Sequence, residues 1–111
     1  MKVVFHLSQI QTNEVHKALR NIKHFREQKP DAEIHAVSNT SAVTMMKSDG
    51  SYADKITELI EEYDITMKAC KNSIEGAEIE EEDLIEGVDV VGSGVAELGD
   101  LQENGFGYIK P

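Results

Sequence analysis

The sequence predicts an α/β domain, a three-layer α/β/α sandwich around a five-stranded, mainly parallel sheet. Three observations predict it. Short runs rich in strand-forming residues alternate with segments whose apolar residues recur at helical spacing. Strands that alternate with helices pair in parallel, because each helix returns the chain to the same end of the sheet. A length of 111 residues fits one domain, residues 1–111, without internal repeat, linker or low-complexity tract.

Residues 2–7, KVVFHL, suit a buried strand. Residues 8–13 are a polar connection, with Thr12 as the expected N-cap of the first helix. Val15, Ala18, Leu19, Ile22 and Phe25 follow at helical spacing, and Pro30-Asp31 ends that helix. Residues 32–38, AEIHAVS, form the second strand, with Ser38 to Ser41 as the loop after it. TSAVTMMKSDG reads as a short helix closed by Asp49-Gly50. Ser51 with Asp54 matches a capping box, and Ile56, Leu59, Ile60 and Tyr63 supply the apolar face of the next helix.

DITMKAC is the third strand, followed by helical turns in KNSIEGA and EEEDLIEG, the latter stopped by Gly87. VDVVGSG is a fourth strand running into a glycine turn. The last helix presents Val95, Leu98 and Leu101 and stops at Gly105, and FGYIKP is the fifth strand.

The formal charge of -10 argues against a nucleic-acid partner, which needs clustered Lys and Arg. Residues 1–30 carry six Lys/Arg and two Asp/Glu, and the remaining 81 carry five and nineteen. Two solvated faces account for this asymmetry. A basic helix of one subunit meeting an acidic segment of another is the alternative. The apolar runs are too short to span a bilayer, so no membrane partner is expected. MKVVFHLSQI lacks the pattern of a secretory leader, and a lone cysteine fits a reducing, cytoplasmic setting.

Ligands of parallel α/β sheets bind beyond the carboxyl ends of the strands. That selects the loops after Leu7, Ser38, Cys70 and Val91. Cys70 ends a strand ahead of a helical turn, so N–H groups at 71–73 can face its sulfur and favour thiolate. Lys71 adds a positive charge, and Asn72 and Ser73 are polar neighbours. An inert, buried Cys70 is the competing account. His6 either holds a proton or ligand near Cys70 or is a satisfied core histidine, and Asn39 is a candidate pocket wall.

In Gly92-Ser93-Gly94, Ser93 is expected to cap the helix, while Gly94 leaves an N–H for a small anion. A dinucleotide turn is not supported, since Glu97 stands where the third glycine belongs. His16 and His24 lie eight apart, and no HExxH or CxxC occurs, so neither metal nor cofactor is expected. The acids of EIEEED read as a solvated segment.

The opening VVFHL, the element CKNSI, the stretch EDLIEGVDVVGSGVAEL and the terminal GFGYIKP together resemble the DsrE/DsrF-like family, in particular its small stand-alone members. The resemblance spans the whole chain and implies a DsrEFH-like fold and homo-oligomers, commonly trimers or hexamers. It also implies sulfur relay. Relatives carry sulfane sulfur as a persulfide on the cysteine that Cys70 matches, and exchange it with donor and acceptor proteins. The alternative is a non-enzymatic ligand-binding or assembly subunit. Two positions depart from the pattern. Ser38-Asn39 replaces a frequent His-Gly pair, and Lys71, Asn72 and Ser73 replace the usual two asparagines and threonine.

Overall fold

The computed structural model describes residues 1–9 and 11–111, and the Thr12 and Asn13 side chains lie outside the described set. The Thr12 cap falls there; the helix itself starts at Thr12, with Gln11 in the cap position. In chain order the elements are β1 (Lys2–Ser8), α1 (Thr12–Gln28), β2 (Glu33–Asn39), a 3-10 helix (Thr40–Met46) and α2 (Ala53–Glu61). Then follow β3 (Thr66–Cys70), α3 (Lys71–Gly76), a second 3-10 turn (Glu81–Asp83), β4 (Asp89–Val91), α4 (Gly94–Glu103) and β5 (Gly107–Ile109).

The strands form one sheet in the order β4-β3-β2-β1-β5, and every pairing is parallel. From β1 to β4 each crossover moves one place in the same direction, so right-handed connections keep their helices on one face. The β4 to β5 connection reverses direction, crosses β3, β2 and β1, and lays α4 on the opposite face.

Alternation along the strands divides the core accordingly. On the first face Val3, Phe5, Leu7, Ile34, Ala36, Met67 and Ala69 pack against Val15, Leu19 and Ile22 of α1, Ile56 of α2 and Ile74 of α3. Burying one side chain the size of Ile22 contributes about 2 kcal/mol. On the second face a smaller group, Val4, Val37, Leu98, Leu101 and Phe106, holds α4.

Several local expectations change. Val95 is 68% exposed. The sheet-facing stripe of α4 is Gly94, Leu98 and Leu101 at i, i+4 and i+7, which turns Val95 outward. Ser51 does not cap α2. Tyr52 occupies the cap position but its side chain does not cap the helix, and the Ala53 N–H reaches Gly50 O at 3.3 Å instead. The short helix expected after β2 is present as a 3-10 helix and ends at Met46, ahead of Asp49-Gly50. Its buried residues Ala42/Met45 and Val43/Met46 fall three apart, the period of that helix. Asn39 belongs to β2 rather than to the loop, one residue beyond the expected strand end at Ser38, since β1 pairs with β2 as far as Ser8 and Asn39.

No described helix is long and apolar enough to cross a membrane.

Candidate functional site

Cys70 is the last residue of β3 and pairs with Val91, the last of β4. Beyond Cys70 the chain turns to the first face as α3, while beyond Val91 it turns to the second as α4. Adjacent strands whose connections part to opposite faces leave a crevice at their carboxyl ends, the usual ligand position in such sheets. Gly94 makes the approach of α4 possible. A Cβ there would lie 3.1 Å from the Asn39 Cβ, 3.2 Å from the Cys70 Cβ and 3.5 Å from Val37 Cγ1.

The sulfur gathers donors from both helices. Burial pushes the thiol pKa up, but the Ser73 hydroxyl and the backbone N–H groups of Gly94, Ser73 and Asn72 outweigh it. The net position is below the ordinary thiol value. Ser73 can spend its proton on sulfur because its oxygen already accepts the Thr40 N–H at 2.8 Å. Cys70 is 6% exposed and makes no disulfide. Lys71 and Asn72 have exposed side chains, so Asn72 contributes through its backbone. Ser93 caps α4 by accepting the Ala96 N–H at 3.2 Å.

Asn39, the neighbour of Gly94, begins a second chain of polar groups. Its Oδ1 accepts the His6 Nε2–H at 2.9 Å, and His6 Nδ1 accepts the Tyr108 hydroxyl at 2.5 Å. Both ring nitrogens of His6 are thereby used by protein groups. The backbone around this chain is strained: Gln9 and Thr40, which follow β1 and β2, adopt φ of 46° and 52°. Thr40 is held by three bonds, one from its N–H to Ser73, one from Oγ1 to Asn39 O at 2.6 Å, and one from the Gln9 N–H at 3.0 Å.

A third group was not picked out from the sequence. Lys68, two residues before Cys70 on the same sheet face, is buried. Its ammonium pairs with the Glu97 carboxylate of α4 and donates to His35 Nδ1 at 3.0 Å. His35 Nε2 in turn donates to Glu33 at 3.2 Å. Burial, then the Lys68 charge, holds the His35 imidazole below its ordinary value, with Glu33 pulling the other way. A signal was present, since a lysine inside the apolar run ITMKAC needs a buried partner. Tyr108 was also missed; its place beside Val4 is set by the β1–β5 register, which no local pattern reveals.

Elsewhere, a groove of about 350 Å³ between α1 and α2 is lined by His16, Arg20, Lys23, Lys55 and Glu58 among others. There Lys23 pairs with Glu58 of its own chain at 3.5 Å. Among the described residues no three His, Cys, Asp or Glu side chains gather as a metal-binding set.

The DsrE/DsrF-like family profile matches residues 1–111. The chain belongs to the DsrE/DsrF-like family. That family is associated with sulfur relay. Among solved structures, the chain is similar to a protein of unknown function, MTH1491 from Methanobacterium thermoautotrophicum. The two share 29% identity with a TM-score of 0.93, over 99% of this chain and 98% of that one. The ychN protein from E. coli follows at 19% identity and a TM-score of 0.85, over 100% and 99% of the two chains. Protein BT1422 of unknown function from Bacteroides thetaiotaomicron has 16% identity and a TM-score of 0.79, over 99% and 94%. These last two likenesses concern the fold alone. No curated protein matches the chain.

Proposed function

We propose that this member of the family is a sulfur-relay protein that carries sulfane sulfur as a persulfide on Cys70. One observation carries the reading: Cys70 ends β3 at the carboxyl edge of the sheet, where α4 closes on it at Gly94, and Ser73 with the N–H groups of Gly94, Ser73 and Asn72 holds the thiol pKa below its ordinary value. In the loading step the Cys70 thiolate attacks the terminal sulfur of a donor persulfide. A new S–S bond forms to Cys70, the donor's S–S bond breaks, and the donor leaves as thiolate. In unloading an acceptor thiolate attacks the outer sulfur, and Cys70 leaves with the bonding pair. Sulfur moves at constant oxidation level, so neither step needs an external oxidant. The donors around Cys70 favour both steps, because they stabilise the anion that attacks and the anion that leaves. A single thiol suffices for a carrier, since both exchanges are between proteins.

The burial of Cys70 favours a second reading, an assembly or ligand-binding subunit in which the thiol is packing. Intact-mass measurement after incubation with a small persulfide donor separates the two. The carrier gains one sulfur that Cys70→Ser lacks. A thiol that alkylates only after unfolding and never gains sulfur sinks the carrier reading and leaves packing. The proposal includes homo-oligomers with trimer or hexamer stoichiometry, and light scattering that returns a monomer at micromolar concentration counts against that part.

A further inference from the structure

The first turn of α4 seats Gly94 against Cys70, where a Cβ would lie 3.2 Å from the Cys70 Cβ, and its N–H is among the groups that lower the thiol pKa. Yet the turn has almost nothing apolar to hold it there. Gly94 has no side chain, and Val95 and Ala96 face solvent. The buried leucines of the helix, Leu98 and Leu101, come later. Glu97 is the one side chain of residues 94–97 turned inward, and it meets Lys68 of β3. Lys68 is itself fixed from its other side by His35 Nδ1, whose ring packs on Phe106 at 4.8 Å between centroids and is tied to Glu33. The side chains of Lys68 and Glu97 are 11% and 21% exposed, so solvent screens the pair little.

We propose that Lys68 and Glu97 are positioning residues for Cys70: their pair pins the first turn of α4 to β3 and so holds the Gly94 N–H against the sulfur. The geometry supports this directly. Lys68 and Cys70 project from one face of β3, and Gly94 and Glu97 lie three apart, on one side of α4. The cross-link between Lys68 and Glu97 therefore lies beside the contact between Cys70 and Gly94, two residues back along β3 and three residues on along α4. His35 supports the lysine and completes the clamp. The inference deepens the proposed site, but its test reads thiol ionisation and does not require that Cys70 be loaded.

The experiment follows the rate of Cys70 alkylation by iodoacetamide against pH, in the full chain and in Glu97→Ala. The midpoint reports ionisation, and the alkaline plateau separately reports access. Loss of the clamp moves the midpoint upward and slows alkylation near neutral pH by about fivefold, the weight of one lost hydrogen bond. A through-space effect has the opposite sign, since removing a carboxylate near a thiolate lowers its pKa. A midpoint that stays or falls in Glu97→Ala overturns the proposal.

If that variant does not fold, Glu97→Gln decides. Its amide still accepts from Lys68 but without charge, so the midpoint rises less and the Gly94 amide exchanges hydrogen faster than in the wild type. Unchanged exchange with an unchanged midpoint overturns the clamp. A chain that loads sulfur but whose midpoint ignores Glu97 refutes the clamp alone. One whose midpoint shifts as expected but which never loads sulfur refutes only the carrier.

Discussion

The two faces of one sheet are built from the same strands and do opposite things. The first face presents Val3, Phe5, Leu7, Ile34, Ala36 and Met67, and α1, α2 and α3 cover it. The second presents His6, His35, Asn39, Lys68 and Cys70 beside Val4 and Val37, with α4 packed on it. Neighbouring residues point to opposite sides of a strand, so Ala69 and Cys70 serve different ends one position apart. The apolar face supplies stability. The polar face concentrates groups that are costly to bury unless each finds a partner, and no buried side-chain polar atom among the described residues lacks one. The site is thus kept apart from the larger core by the sheet itself.

Four experiments break or sharpen that contrast. The largest effect belongs to the first face. Ile22→Ala is expected to cost about 2–5 kcal/mol of stability by denaturant unfolding, because Ile22 is fully buried in the larger cluster. The alkylation midpoint of the folded protein should stay in place. A midpoint that moves with it would mean the faces are not separable.

Gly94→Ala comes next, with an expected cost of about 1–3 kcal/mol, the usual range for overpacking. The new methyl must push against Asn39 and Cys70, at 3.1 and 3.2 Å. Unlike Ile22→Ala, it is expected to raise the thiol midpoint, and a stability loss without that rise would place Gly94 outside the sulfur's environment.

Tyr108→Phe removes one hydroxyl donor from His6 and is expected to cost about 1 kcal/mol or less. Loss of several kcal/mol would show that the second face also carries the fold.

The smallest effect is a pH dependence. Cys70 ionises more readily folded than unfolded, so between the two values the folded chain holds fewer protons on it. Its contribution is fully present above the unfolded thiol value and is lost as pH falls through the folded one. The stability difference between wild type and Cys70→Ser should therefore grow as pH rises through the alkaline range. A difference that is flat or shrinks contradicts the depressed thiol.

Helix and strand identities were legible because periodicity is local: 15, 18, 19, 22 and 25 mark one helix face wherever that helix packs. The edge position of Cys70 was legible as well, since the end of a strand is a local property. Partnerships across the sheet were not. His6 to Tyr108 and Lys68 to Glu97 span 102 and 29 residues, and they depend on strand order and on which face α4 takes. Val95 illustrates the same limit at short range. It fits helical spacing with Leu98, and only the direction from which the sheet approaches turns it outward.

Gly94 has a use beyond this chain. It stands where one methyl group decides how closely a helix can approach the strand that bears the cysteine. A relative with a larger residue there must compensate, by a glycine in place of Asn39, whose Cβ is the nearest atom, or by a helix set back a few tenths of an ångström. Positions 39 and 94 should then vary together when related sequences are compared, and a relative that enlarges both should have a cysteine stripped of one of its donors.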